Sequence, residues 1–368
     1  MATYKRQRYL FMTLDPVHIG TGGYRLGRVD NSIVREPGTK IPKIPGTSLH
    51  GAARSYAAQL YETPEAAGQN HDKIDNPDEN PVCYTFGYIK KSKNGNSDEG
   101  KIYSGVVNIF DAHVLLFPVH SMLGAVWVST KERLEDAGFK VKIEPNTWND
   151  DEDIGIAALW NKSDKSVDRL NLGWLMVSIT GKVTVTPPDD CNWQDNDRWK
   201  AVNKIVLVKD VLFSQIVNSN LEVRTSVSIN PETGAAEEGA LFTYEAIPRA
   251  TFLTAEVVLD DYGAGEEEDD KNKENDKPKR KRPFPKNKTY KSQKDLPGGS
   301  WNNPLDVVKA GFRTIEWLGV GGMGTRGFGR MAVVGDPVEV TLEDSWQVSK
   351  ASSLNEQPTA TATKGGNP

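Results

Sequence analysis

The chain has 368 residues, 37% hydrophobic and 26% charged, with a formal charge of −5 at pH 7. That length holds one large or two ordinary domains with a buried core, and no apolar run reaches the length of a membrane span. The two cysteines, Cys83 and Cys191, lie far apart without CxxC spacing. This argues against a disulfide framework or a zinc knuckle, and with no signal-peptide pattern at the N-terminus it points to the cytoplasm.

The charge is unevenly spread. Residues 1–54 hold nine bases against three acids, a local excess of six, so the rest of the chain carries −11. A basic surface on an acidic whole fits a protein that binds a polyanion at one face.

In chain order, residues 4–14 (YKRQRYLFMTL) alternate as a strand that Asp15–Pro16 ends. A glycine-rich loop follows, with Gly20, Gly22, Gly23 and Gly27, then a connection punctuated by Pro37, Pro42 and Pro45. Thr47 or Ser48 can cap a helix running to about Tyr61, with Leu49, Ala52, Ala53, Tyr56 and Leu60 at helical spacing. Residues 62–80 and 91–100 are polar and turn-rich and read as surface loops. VVNIFDAHVLLFPV (106–119) is a strand, whereas periodicity leaves 121–128 open between helix and strand. Residues 131–170 mix a short helix with an acidic loop, and Leu172–Val185 and Lys204–Val208 alternate as strands.

LEVRTSVSI and ALFTYEAIPRATFLTAEVVL, separated by NPETGAAEEG, predict a long hairpin over about 215–255. Residues 261–270 carry six acids and no base, and 271–294 carry eleven bases and two acids. The whole segment 261–299 reads as a disordered insertion, either a solvated loop or, in its basic half, a nucleic-acid contact. A helix begins at Asn303–Pro304 with Val307, Val308, Phe312 and Ile315 on one face. The loop GVGGMGTRGFGR (319–330) and the strand MAVVG follow it, and residues 346–368 read as a disordered tail. Everything from 1 to 345 is taken as a single domain.

Gly322, Gly324 and Gly327 match the dinucleotide fingerprint by spacing, but their loop follows a helix and enters a strand, the reverse of that motif. Each glycine loop carries arginines, Arg25 and Arg28 in the first, Arg326 and Arg330 in the second. The glycines either serve tight turns alone or expose backbone N–H groups beside guanidinium forks, as a phosphate cradle requires. Asp30, an acid among bases, is either a salt-bridge partner or a catalytic group. On RNA such an acid activates the 2′-hydroxyl or holds a divalent cation. His113 reads as structural, and His71, in a polar loop, carries little signal.

The blocks HIGTGG…LGRVDNSIVRE…IPKIPGTSLHGAARS, FDAHVLLFPVHS, SINPETGAAEEGALFTYEAIPR and GVGGMGTRGFGRM, in that order, resemble CRISPR-associated RAMP proteins. They are most similar to the Cmr-type (III-B) backbone subunit of type III effector complexes. The resemblance implies an α+β fold, an RRM-like (ferredoxin-like) palm with insertions that include a β-hairpin thumb. It implies a subunit that binds CRISPR RNA and cleaves complementary target RNA at regular intervals with Mg2+ or Mn2+, as an antiviral defence. Its partners would be further copies or paralogous RAMP subunits and the large and small subunits of the complex. The alternatives are a non-catalytic scaffold on the same RNA and a stand-alone enzyme trimming precursor RNA. Asp30 matches the catalytic and metal-binding acid, with His18, Glu238, Tyr244 and the neighbouring Glu245 placed near the scissile phosphate. RNA contacts are expected from Gly20, Gly22, Gly23, Arg25, Arg28, Arg35, Lys43, Ser48, His50, Arg54, Gly322, Gly324, Arg326, Gly327 and Arg330. No sheet-face RNP aromatic motif is present, so loops rather than a stacking platform would hold the RNA.

Overall fold

The computed structural model describes residues 3–22, 29–68, 71–90, 101–144, 156–161, 167–261, 283–285 and 300–341. The fold grows around β1 (Thr3–Thr13), in which Tyr9, Leu10 and Phe11 are successive residues with no exposed surface. Consecutive buried side chains point to opposite faces of a strand, so the sheet is covered on both sides. After β1 come β2 (Lys43–Ile44) and helix α1 (Gly46–Leu60). Then follow α2 (Pro81–Phe86), β3 (Gly87–Lys90), β4 (Lys101–Ser104), β5 (Val107–Ile109), β6 (Ala112–Ser121) and β7 (Gly124–Ser129). A side lobe holds α3 (Lys131–Asp136), β8 (Lys140–Glu144), β9 (Ile156–Asn161), β10 (Arg169–Leu172), β11 (Leu175–Thr186), α4 (Asp197–Lys200) and β12 (Lys204–Leu207). Helix α5 (Asp210–Ser219) leads into the hairpin β13 (Glu222–Ile229) and β14 (Ala236–Ala246). The chain returns through β15 (Phe252–Asp261), α6 (Pro304–Leu318), β16 (Met331–Val333) and β17 (Val338–Thr341).

Among the described residues one large mixed sheet runs β10-β11-β9-β12-β7-β6-β15-β1-β16. Its antiparallel centre, β6-β15-β1-β16, has α1 between β1 and β6 in the chain and α6 between β15 and β16. On one face Tyr9 and Phe11 meet Phe312 of α6 edge-on, at 5.0 and 5.2 Å between ring centroids. On the other, Leu10, Leu116 and Phe252 pack with Leu134, Trp193 and Trp199 of the side lobe. Helices α1 and α6 touch through Gly311, where a Cβ would lie 2.4 Å from the Ala53 carbonyl oxygen. Only glycine permits that approach.

Several expectations need correction. Helix α1 has no side-chain cap from Thr47 or Ser48; its first residue is Gly46, whose N–H donates to Asp111 Oδ1 at 2.7 Å. Residues 62–80 form no simple solvated loop, because three short 3-10 turns there bury Ala66, His71, Ile74 and Pro77. The run at 121–128 resolves as strand: Ser121 ends β6, residues 122–123 turn, and β7 begins at Gly124. The long predicted hairpin is shorter, because the chain turns at Pro248–Ala250, with Ala250 at φ 66°, and β15 joins the central sheet instead. Within 261–299, Asp261 is buried against the Tyr84 hydroxyl, and Phe284 meets the Tyr84 ring edge-on at 5.4 Å. Residues 262–282 and 286–299 of that insertion, the acidic loop at 149–155 and the tail 346–368 lie outside the described residues. No described helix is long and apolar enough to cross a membrane.

Candidate functional site

The root of the β13–β14 hairpin is where the two glycine-bearing loops meet, and main-chain bonds fasten them. Gly322 N–H donates to the His18 carbonyl and Gly329 N–H to the Pro16 carbonyl, each at 2.9 Å. Val17 and Ile247 exchange two bonds of 2.9 Å, tying the first loop to the end of β14. Gly321 sits at φ 86°, and a Cβ there would lie 2.6 Å from the His18 carbonyl oxygen, so this junction is closed to any other residue.

Asp30 is held against β14. Its Oδ2 accepts from Thr243 N–H at 2.7 Å and from the Thr243 hydroxyl at 3.0 Å, while Asp30 N–H donates to that hydroxyl oxygen at 3.2 Å. Asn31 continues the pairing, its N–H on the Thr243 carbonyl at 3.0 Å and its carbonyl taking Glu245 N–H at 3.1 Å. The Thr243 backbone N–H, and then its hydroxyl, hold the Asp30 carboxyl below the ordinary carboxylate range. Oδ1 has no hydrogen bond among the described residues. The group is therefore an ionised carboxylate at neutral pH with one oxygen fixed and one available.

His18 and Tyr244 belong to the frame of this site. His18 is 5% exposed and its Nδ1–H donates to the Glu245 carbonyl at 2.6 Å, which leaves Nε2 beside Gly20, 3.1 Å from where a Cβ would stand. Tyr244 is 4% exposed, its hydroxyl 2.9 Å from Ser226 Oγ and its ring against Phe328. Arg35 binds Glu245 through Nη2 at 2.9 and 3.0 Å and reaches Asn218 Oδ1 through Nε at 2.9 Å. Around the second loop, the Arg326 guanidinium lies 5.4 Å from the Phe242 ring, Arg224 lies 4.7 Å from the Phe328 ring, and Arg330 pairs with Asp15. Gly324 and Ser48 line a cavity of about 330 Å³ with Ser55, Tyr56 and Phe328, between α1 and the second loop.

Other expected contacts lie apart from the hairpin root. Arg54 is held within the protein, Nε on the Ala66 carbonyl at 2.8 Å and Nη2 on His71 Nε2 at 2.6 Å and the Gly87 carbonyl at 2.9 Å. His50 packs edge-on against Phe86, and burial, then the Arg54 charge, push its pKa down. Lys43 pairs with Asp111. Gly22 is exposed at φ 74°. Gly23, Arg25, Arg28 and the side chain of Glu238 lie outside the described residues. Sequence reasoning missed Thr243, because a lone threonine in a β-rich strand carries no signal until its partner across the fold is known. It also missed the burial of His71, whose polar neighbours suggested solvent.

Among the described residues no three His, Cys, Asp or Glu side chains cluster as a metal site. A small divalent cation that keeps several waters and takes phosphate oxygens needs only one or two carboxylates, and Asp30 Oδ1 fits that role.

Residues 10–332 match the model of the RAMP superfamily. The chain belongs to the RAMP superfamily. It is 27% identical over 260 residues, 67% of this chain and 79% of the relative, to the CRISPR system Cmr endoribonuclease Cmr4 of Pyrococcus furiosus. Over 101 residues, 27% of this chain and 41% of the relative, it is 34% identical to the CRISPR system Cms endoribonuclease Csm3 of Enterococcus italicus. The fold resembles a chain in the structure of the Type III-B Cmr-beta bound to cognate target RNA, with a TM-score of 0.53 at 14% identity over 90% of this RAMP chain and 97% of that one. The apo state of Cmr-beta gives a TM-score of 0.50 at 15% identity over 92% and 98% of the two chains.

Proposed function

We propose that this RAMP protein is a backbone subunit of a type III CRISPR effector complex, holding CRISPR RNA and cutting complementary target RNA at regular intervals. The strands β6-β15-β1-β16 with α1 and α6 form an RRM-like palm, and β13–β14 is its thumb. Both palm faces are covered by side chains, so RNA lies on the loops at the hairpin root rather than on a stacking sheet. Its neighbours are further copies or paralogous RAMP subunits and the large and small subunits of the complex. The observation that carries the reading is the Asp30 carboxylate, fixed by one oxygen at the point where both glycine loops meet the hairpin.

With its pKa depressed, Asp30 is a weak proton acceptor and a good anchor for positive charge. Asp30 Oδ1 would hold a divalent cation, Mg2+ or Mn2+, whose chemistry is to lower the pKa of the attacking hydroxyl and to stabilise charge on the phosphate oxygens. Main-chain N–H groups of the glycine loops other than those of Gly322 and Gly329, which the His18 and Pro16 carbonyls take, orient the phosphodiester beside it. His18 and Tyr244, both buried and bonded to protein partners, shape the loop instead of touching the scissile bond.

That same burial favours a second reading, a scaffold that binds guide RNA without cutting. Asp30→Asn in the assembled complex separates the two. Loss of target-RNA cutting with guide binding intact supports the nuclease; cutting at the wild-type rate supports the scaffold. Loss of both would make Asp30 structural.

A further inference from the structure

Thr243 stands on β14, opposite Thr225 of β13, and belongs to the hairpin rather than to the loop that bears Asp30. It makes three bonds to that one residue, to the backbone N–H of Asp30 and twice to Oδ2. Its hydroxyl is donor to the carboxylate and acceptor from the amide, which restrains the side-chain torsions of Asp30 and leaves Oδ1 without a hydrogen bond among the described residues. A backbone N–H at position 243 is available whatever the side chain; the second bond to the carboxylate and the link to its amide need the hydroxyl. The flanking residues turn to other tasks, since Phe242 and Tyr244 pack with Phe328 and Glu245 binds Arg35.

We propose that Thr243 is the positioning residue for the Asp30 carboxylate, so that the hairpin, through this hydroxyl, sets the orientation of the group that acts on target RNA. The proposal rests on the nuclease reading above. Seating of the guide–target duplex against the hairpin then moves the carboxylate with it, because the two are joined by three hydrogen bonds.

The test uses the assembled effector complex with guide RNA and a complementary target, carrying Thr243→Val, Thr243→Ser or Asp30→Asn. Val keeps the shape and the backbone bond and removes the hydroxyl; Ser restores the hydroxyl. Losing an orienting bond of this kind lowers activity about tenfold to a hundredfold. The expected result is that fall in cutting rate for Thr243→Val, with unchanged guide and target binding and near wild-type cutting for Thr243→Ser. A merely structural threonine would lower stability and RNA binding along with cutting, and this outcome overturns the proposal. Wild-type cutting by Thr243→Val beside an inactive Asp30→Asn overturns it while leaving the nuclease reading in place. Wild-type cutting by Asp30→Asn removes both.

Discussion

Glu245 and Arg35 form the charged knot beneath the hairpin, with side chains 14% and 21% exposed. Glu245→Ala leaves a part-buried guanidinium with Asn218 and the Ile33 carbonyl as its remaining partners among the described residues. We expect a loss of about 2 kcal/mol of stability, the scale of a hydrogen bond to a charged group, measured by urea unfolding. His71 sets a pH dependence. Burial, then the Arg54 charge, lower its pKa, so the unfolded chain binds the proton more readily than the folded one. Its contribution is complete above the unfolded value of about 6.5 and is lost as pH falls through the lower folded value. His71→Gln is expected to shrink the difference between unfolding midpoints at pH 7.5 and 5.5. Arg54 shows what residue type alone fails to convey: an arginine among the nine bases of residues 1–54 suggested phosphate, yet its Nε and Nη2 donors are taken by Ala66, His71 and Gly87. Arg54→Ala should therefore lower stability and leave the salt dependence of RNA binding nearly unchanged. Asp30 was legible as a candidate because it stands alone among bases, but its fixed oxygen was not, since the partner lies 213 positions along the chain.

At the scale of elements, α6 was the most legible. Asn303 caps it by accepting from Leu305 and Asp306 N–H, Asp306 returns the bond to Asn303, and the apolar face Val307, Val308, Phe312 and Ile315 is fully buried. Local rules are decisive there because cap and period act within a few residues. Helix α1 was legible in extent but not in its start, because its first N–H is satisfied by Asp111 from the distant connection between β5 and β6. The end of the hairpin escaped notice for a similar reason: residues 240–259 are β-rich throughout, and only tertiary pairing assigns one half to β13 and the other to β1. The contact between α1 and α6 gives a prediction with opposing terms. Gly311→Ala gains about 1 kcal/mol of helix propensity. It also drives a Cβ to 2.4 Å from the Ala53 carbonyl, and such overpacking costs about 1–3 kcal/mol. The net expectation is destabilisation, seen as a lower Tm.

For the molecule as a whole, the RNA reading predicts that affinity for guide RNA falls steeply as salt rises, since phosphate binding releases counterions. A filter-binding series across salt concentrations measures the slope. The central strand has a consequence for how the chain is made. β1 leaves the ribosome long before its partners, which are β15, beginning at Phe252, and β16 and β17, beginning at Met331 and Val338. Until those segments emerge, Tyr9, Leu10 and Phe11 have no sheet to enter, and the strand's unpaired edges invite association with other chains. Growth of this protein thus includes a long interval in which its most deeply buried strand is a naked adhesive, and the last residues to join the sheet close that interval.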